Sequence, residues 1–167
     1  ASASFAALSS TTGAWASKPK VFQLTPAPTT VDLVGSKYPK TAVWAYSGTV
    51  PGPMIRAVQG DRVQIAVSNG LAEKTTVHWH GLRIPNAMDG VPDLTQRPIG
   101  KGENFLYDFE LPDAGTYWYH PHVRATVQQG RGLYGAFIIE EKNPPKVDRD
   151  ITWVLDDWLL TKEAAIA

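Results

Sequence analysis

The chain has no cysteine among its 167 residues. That absence excludes disulfides, iron–sulfur clusters, thiolate nucleophiles and every zinc site that needs a thiolate. It also excludes a blue-copper centre held by this chain alone, because the short copper bond of such a centre is to a cysteine sulfur. Neither sign of charge is in excess: sixteen Lys and Arg balance sixteen Asp and Glu. Nothing in that balance favours a polyanion, so neither nucleic acid nor an acidic membrane surface is an expected partner. No apolar run approaches the roughly 20 residues of a membrane-crossing helix, and residues 1–19 lack the charged start and apolar middle of a signal peptide. The first residue is Ala1 rather than methionine, so processing or trimming of the chain is expected.

What is present suits one domain. Hydrophobic residues make up 43% of the chain, enough to build a core at this length. Residues 1–20 are rich in Ala and Ser without periodicity and read as an extended arm. From Val21 onwards, short runs of Val, Ile, Trp, Tyr and Phe are broken by Gly, Pro, Asn and Asp. The candidate strands are "VFQL", "TTVDLV", "TAVWAYSG", "MIRAVQG", "DRVQIAVSN", "TTVHWHG", "ENFLYDFEL", "GTYWYHPH", "GLYGAFIIEE" and "DITWVLDDW". Alternation is best kept in "RVQIAVS" and "NFLYDFEL". This punctuation predicts an all-β sandwich of two packed antiparallel sheets over residues 21–155. "PDAG" at 112–115 reads as the turn that brings His120 back towards the sheet. Residues 156–167, with "LLTKEAAIA", read as a helix or an exit linker.

Histidine is scarce, and its placement is the strongest signal. All four histidines lie in two HxH pairs, His78 with His80 in "TTVHWHGL" and His120 with His122 in "YWYHPHV". Strand side chains alternate faces at about 3.3 Å per residue, so both members of a pair project from one face about 6.6 Å apart. If the two strands lie side by side, four imidazoles converge while Trp79 and Pro121 face the other way. Neutral imidazole binds zinc, copper, nickel and iron, and the residues alone do not choose among them. Acid–base catalysis by histidine would need a nucleophile nearby, and no G-x-S-x-G context is present; Ser68 and Thr116 read as ordinary strand-end residues. Metal binding is the favoured reading of the residues.

The chain resembles the N-terminal cupredoxin-like domain of multicopper oxidases, the laccase and copper-efflux-oxidase group. The resemblance runs in order through "GTVPGPMIRAVQGDRVQIAVSNGL", "HWHGL", "MDGVPDLTQRPIGKGENFLYDFEL", "AGTYWYHPH", "GLYGAFIIEE" and "VLDDW". It implies a Greek-key β-sandwich of the cupredoxin type. It also implies that the two histidine pairs supply half the ligands of a trinuclear copper cluster: His78 to the type 2 copper, and His80, His120 and His122 to the type 3 pair. Within that pair His80 and His120 would share one copper, with His122 on the other. Asp89 in "NAMDGVP" matches an acidic residue that helps deliver protons to reduced oxygen, although Asp-Gly is also a common turn dipeptide. Two departures stand out: Pro121 replaces the serine of the common HSH motif, and Arg97 stands where fungal laccases often carry a disulfide cysteine, which makes the chain bacterial in type.

The resemblance further implies a parent enzyme that takes single electrons from a small reduced substrate at a type 1 copper and reduces dioxygen to water at the cluster. The type 1 centre needs a cysteine, so this chain is expected to be an incomplete fragment, inactive alone. The missing C-terminal cupredoxin domains would be its partners. The parent would act in the periplasm or as a secreted enzyme. The competing expectation is a non-enzymatic cupredoxin-like module for copper binding or interaction.

Overall fold

The alternation in "RVQIAVS" becomes a strand in which every second side chain is fully buried: Val63, Ile65 and Val67. The computed structural model describes residues 18–167; the arm expected over residues 1–20 lies almost wholly outside the described residues, and Lys20 already belongs to the first strand. β1 (Lys20–Leu24) runs parallel to β5 (Arg62–Ser68), and β7 (Asn104–Glu110) runs antiparallel along its other side, with Tyr107 opposite Ile65. These three strands form one sheet. The second sheet has the order β4 (Ile55–Val58), β9 (Gly135–Glu140), β8 (Gly115–His120) and β6 (His78–His80). A hairpin of β2 (Pro26–Val31) and β3 (Thr41–Tyr46) forms a third, smaller sheet.

Trp79 joins the layers. From β6 its buried ring meets Tyr107 and Phe109 of β7, and Tyr119 and Phe137 of β8 and β9, with ring centroids 5.1 to 6.0 Å apart. Aromatic residues dominate this core because each removes a large apolar surface from water and tolerates tilted or edge-on neighbours. The expected all-β sandwich is therefore the architecture, with residues 112–115 carrying the chain from β7 in one sheet to β8 in the other.

Four local expectations change. The sheets are mixed rather than antiparallel throughout, because β1 pairs with β5, and β4 with β9, in parallel. "DITWVLDDW" forms no strand and leaves Trp153 and Leu155 more than 80% exposed. Part of it lies over β8 and β9, where Trp118, Ala136 and Trp153 help line a cavity of about 440 Å³. Of the two alternatives for "LLTKEAAIA", helix or exit linker, the helix does not form: the Thr161 hydroxyl accepts from the N–H groups of Glu163 and Ala165 and favours a turn, and Leu160 bridges to Ile166. Nine residues are also short for a helix, which is marginal below about 12–15 residues in water. Conversely, a short helix that the sequence pattern did not announce, α1 (Ala125–Gly130), begins just after His122.

Candidate metal centre

Pairing of β6 with β8 sets His78 directly opposite His120, Trp79 opposite Tyr119 and His80 opposite Trp118. Faces alternate along a strand, so the tryptophan–tyrosine pair enters the core while the histidines share the outer face. One ligand nitrogen from each of His78, His80 and His120 lies within 4.8 Å of the others. The His80 Nδ1 and His120 Nε2 atoms approach to 3.3 Å.

His122 is held differently. β8 stops at His120, because Pro121 has no N–H with which to continue a ladder. β8 is also an interior strand, flanked by β9 and β6. The strand expected over the whole of "GTYWYHPH" therefore ends at His120: the "HPH" motif spans a strand end and the turn after it. His122 lies outside the compact group of three, yet its ring centroid is 5.1 Å from that of His78 and 6.0 Å from that of His120. Its backbone N–H donates to Thr76 Oγ1 at 3.3 Å, which ties the turn to the segment that leads into β6.

Hydrogen bonds select which nitrogens remain free. His78 Nδ1 donates to the carbonyl of Asp89 at 2.8 Å, and His120 Nδ1 donates to the carbonyl of Pro121 at 3.0 Å. A carbonyl oxygen only accepts, so both rings carry a proton on Nδ1, which makes Nε2 the nitrogen available to a cation. Burial pushes the His120 pKa down to about 4, an effect opposed by the Pro121 carbonyl and reinforced by the other three histidines. His122 is also lowered, by burial first and then by His78. Both rings are thus neutral near pH 7, the form that ligates. The donor set of converging imidazoles fits copper, for which nitrogen sites have the highest affinity among the divalent first-row metals.

Asp89 sits behind this group. It follows a 3-10 turn, Asn86–Met88, and its Oδ1 lies 3.3 Å from His78 Nδ1, beside the carbonyl contact. Asp89 is therefore both the end of a turn and the support of a candidate ligand, and its carboxylate is partly exposed. Asp93 and Gln96 close the neighbouring loop through the main chain, Asp93 N donating to Gln96 O at 2.8 Å.

Trp118 was not singled out by sequence reasoning. Its ring lies 4.3 Å from that of His120 and 5.0 Å from that of His80, centroid to centroid. The signal was available in its spacing, since a residue two before His120 in a strand shares its face.

Comparison with known proteins identifies a family. A family model described as multicopper oxidase matches residues 28–144. Multicopper oxidase MmcO of Mycobacterium tuberculosis is 43% identical over 136 residues, which are 81% of this chain and 26% of that protein. Copper resistance protein A of Escherichia coli is 38% identical over 139 residues, 82% of this chain and 22% of that protein. The chain therefore spans about a quarter of the length of these curated relatives. Among solved structures, Lac15 from a marine microbial metagenome superposes with a TM-score of 0.83 at 43% identity, covering 87% of this chain and 39% of that one. A multi-copper oxidase from Pseudomonas thermotolerans gives 0.85 at 39% identity, over 90% and 36%. The family match covers most of the chain and contains both histidine pairs, and the chain belongs to the multicopper oxidase family.

Proposed function

We propose that this chain supplies half of the ligands of a trinuclear copper cluster in an oxidase that couples one-electron oxidation of a small reduced substrate to reduction of dioxygen to water. The observation that carries the reading is the convergence of His78, His80 and His120 within 4.8 Å. His122, 5.1 Å from His78 between ring centroids, completes the set. Copper, when bound, supplies one-electron redox chemistry and a binding place for oxygen. The chain's own residues orient the site. His78 and His120 are held with Nε2 free, and the approach of His80 to His120 at 3.3 Å supports their sharing one ion, with His122 directed to another and His78 assigned to the type 2 position. Trp118 lies against the rings of His80 and His120. Asp89 supports His78, and its partly exposed carboxylate is assigned the role of helping deliver protons to reduced oxygen.

In this reading the chain is inactive alone and works with further cupredoxin domains of the same polypeptide, which carry the type 1 copper, in the periplasm or outside the cell. A later HxxHxH and an HCHxxxH in the same reading frame would establish that parent, and their absence would remove it. The direct test is Cu(II) titration of this chain against a variant carrying both His78→Ala and His122→Ala. Uptake should disappear in the double variant, and unchanged uptake would refute the site. Oxygen consumption by the isolated copper-loaded chain would refute its inactivity.

A further inference from the structure

The β6–β8 ladder positions three of the histidines, but His122 lies beyond it and needs another anchor. The structure provides one in Gln128. It is the one buried residue of α1 and is wholly inaccessible to solvent. Its side-chain amide is fully engaged: Nε2 donates to the Lys74 carbonyl and to Glu73 Oε1, both at 2.8 Å, and Oε1 accepts from Thr75 Oγ1 at 2.7 Å. All three partners belong to the segment that leads into His78. Arg124, at the start of α1, adds a 2.6 Å ion pair to the other oxygen of Glu73. Thr76, next in the chain, accepts the His122 N–H.

The arrangement is a buried polar clamp between the residues just before one histidine pair and those just after the other. We infer that Gln128 is a positioning residue for His122: it fixes the turn after β8 against residues 73–76 and so sets the placement of that imidazole relative to His78. This rests on the four-histidine reading above. A core residue kept only for packing would be apolar here, because burying an amide is favourable only when its donors and acceptor are all satisfied. The Gln128 and Arg124 bonds join α1 to the ligand-bearing segment. Loss of the clamp releases His122 without removing any candidate ligand, and outer residues of this kind change metal affinity by roughly 10- to 100-fold.

The test uses Gln128→Met, which keeps the volume and removes the amide, together with Thr76→Val, which removes only the acceptor of the His122 N–H. Each is made with and without His122→Ala, and Cu(II) affinity is measured for the full chain. If Gln128 acts through His122, Gln128→Met weakens Cu(II) binding about tenfold when His122 is present and less than twofold when it is alanine. Equal losses in the two backgrounds would show a general structural role and overturn the inference. A metal-free readout separates this from failure of the copper reading. Cross-relaxation between the His78 and His122 rings in the NMR spectrum should be present in the parent chain and lost in Gln128→Met. Its persistence there would overturn the positioning role whatever the copper titration gives. If Gln128→Met does not fold, Thr76→Val decides by the same two measurements.

Discussion

Replacing Gly90 by alanine tests how firmly the Asp89 loop is seated on β6. Gly90 has φ +75, and a Cβ added there would lie 1.9 Å from the Val77 carbonyl oxygen and 2.5 Å from its carbon. Both are fixed backbone atoms at the threshold of the ligand strand, so the loop must withdraw by about 1 Å to restore even a tight contact. Gly48 is the matched control, with φ +84 and nothing within 4 Å of its added Cβ. Gly48→Ala therefore carries only the left-handed backbone cost of roughly 1–2 kcal/mol. Gly90→Ala carries that cost and also loses the bond from His78 Nδ1 to the Asp89 carbonyl, roughly 0.5–1.5 kcal/mol, before any wider displacement. The expected total is about 1.5–3.5 kcal/mol, a fall in Tm of about 8 °C against about 4 °C for the control. Thermal melts and urea titrations followed by circular dichroism measure both, with unchanged m-values confirming that stability alone has moved. If the two variants agree to within about 0.5 kcal/mol, the loop is not seated on Val77 as described.

The core and the pH response give two more predictions. Trp79→Ala should cost about 3–5 kcal/mol in urea unfolding, because it empties the junction of Tyr107, Phe109, Tyr119 and Phe137. Trp79→Phe should cost clearly less, since the indole Nε1 is buried without a hydrogen-bond partner; equal losses would refute that ring packing sets the cost. The Arg62 guanidinium, with two bonds of 2.6 Å, holds the Asp108 carboxyl below its ordinary value. As acid is added the unfolded chain therefore takes up this proton first, so the stability from Asp108 is present above about pH 3.9 and lost as pH falls through the folded value. Asp108→Asn should flatten the dependence of unfolding free energy on pH between about 5 and 2, and an unaltered slope would show the pair to be inconsequential.

Much of this was legible in residue order. Period-2 alternation found β5 and β7 because one face of each meets the core and the other meets solvent, and the two HxH spacings located the imidazoles because strand geometry is nearly fixed. The parts that escaped depend on partners distant in sequence. The parallel pairing of β4 with β9 leaves no local trace in either strand. "DITWVLDDW" has strand composition, but a ladder also needs a free neighbour, and Trp153 shows that none is taken. α1 carries β-branched Thr126 and Val127 and a glycine in six residues, so its helicity comes from the Gln128 bonds rather than from propensity. The strand end at His120 was in principle readable from Pro121, whose missing donor matters more in an interior strand than at an edge.

The order of strands in the second sheet also governs how the chain comes together as it is made. β4 and β6 are synthesised early, but their neighbours β9 and β8 lie far downstream. During translation the "HWH" segment therefore emerges long before the ladder that will face it can form. Closing so distant a contact is slow relative to forming a local hairpin. A copper ion met at that stage would find one flexible pair of imidazoles rather than a converged group. Convergence of the imidazoles thus belongs to the last steps of folding, and under the proposed reading copper supplied too early would compete with the pairing of β6 and β8.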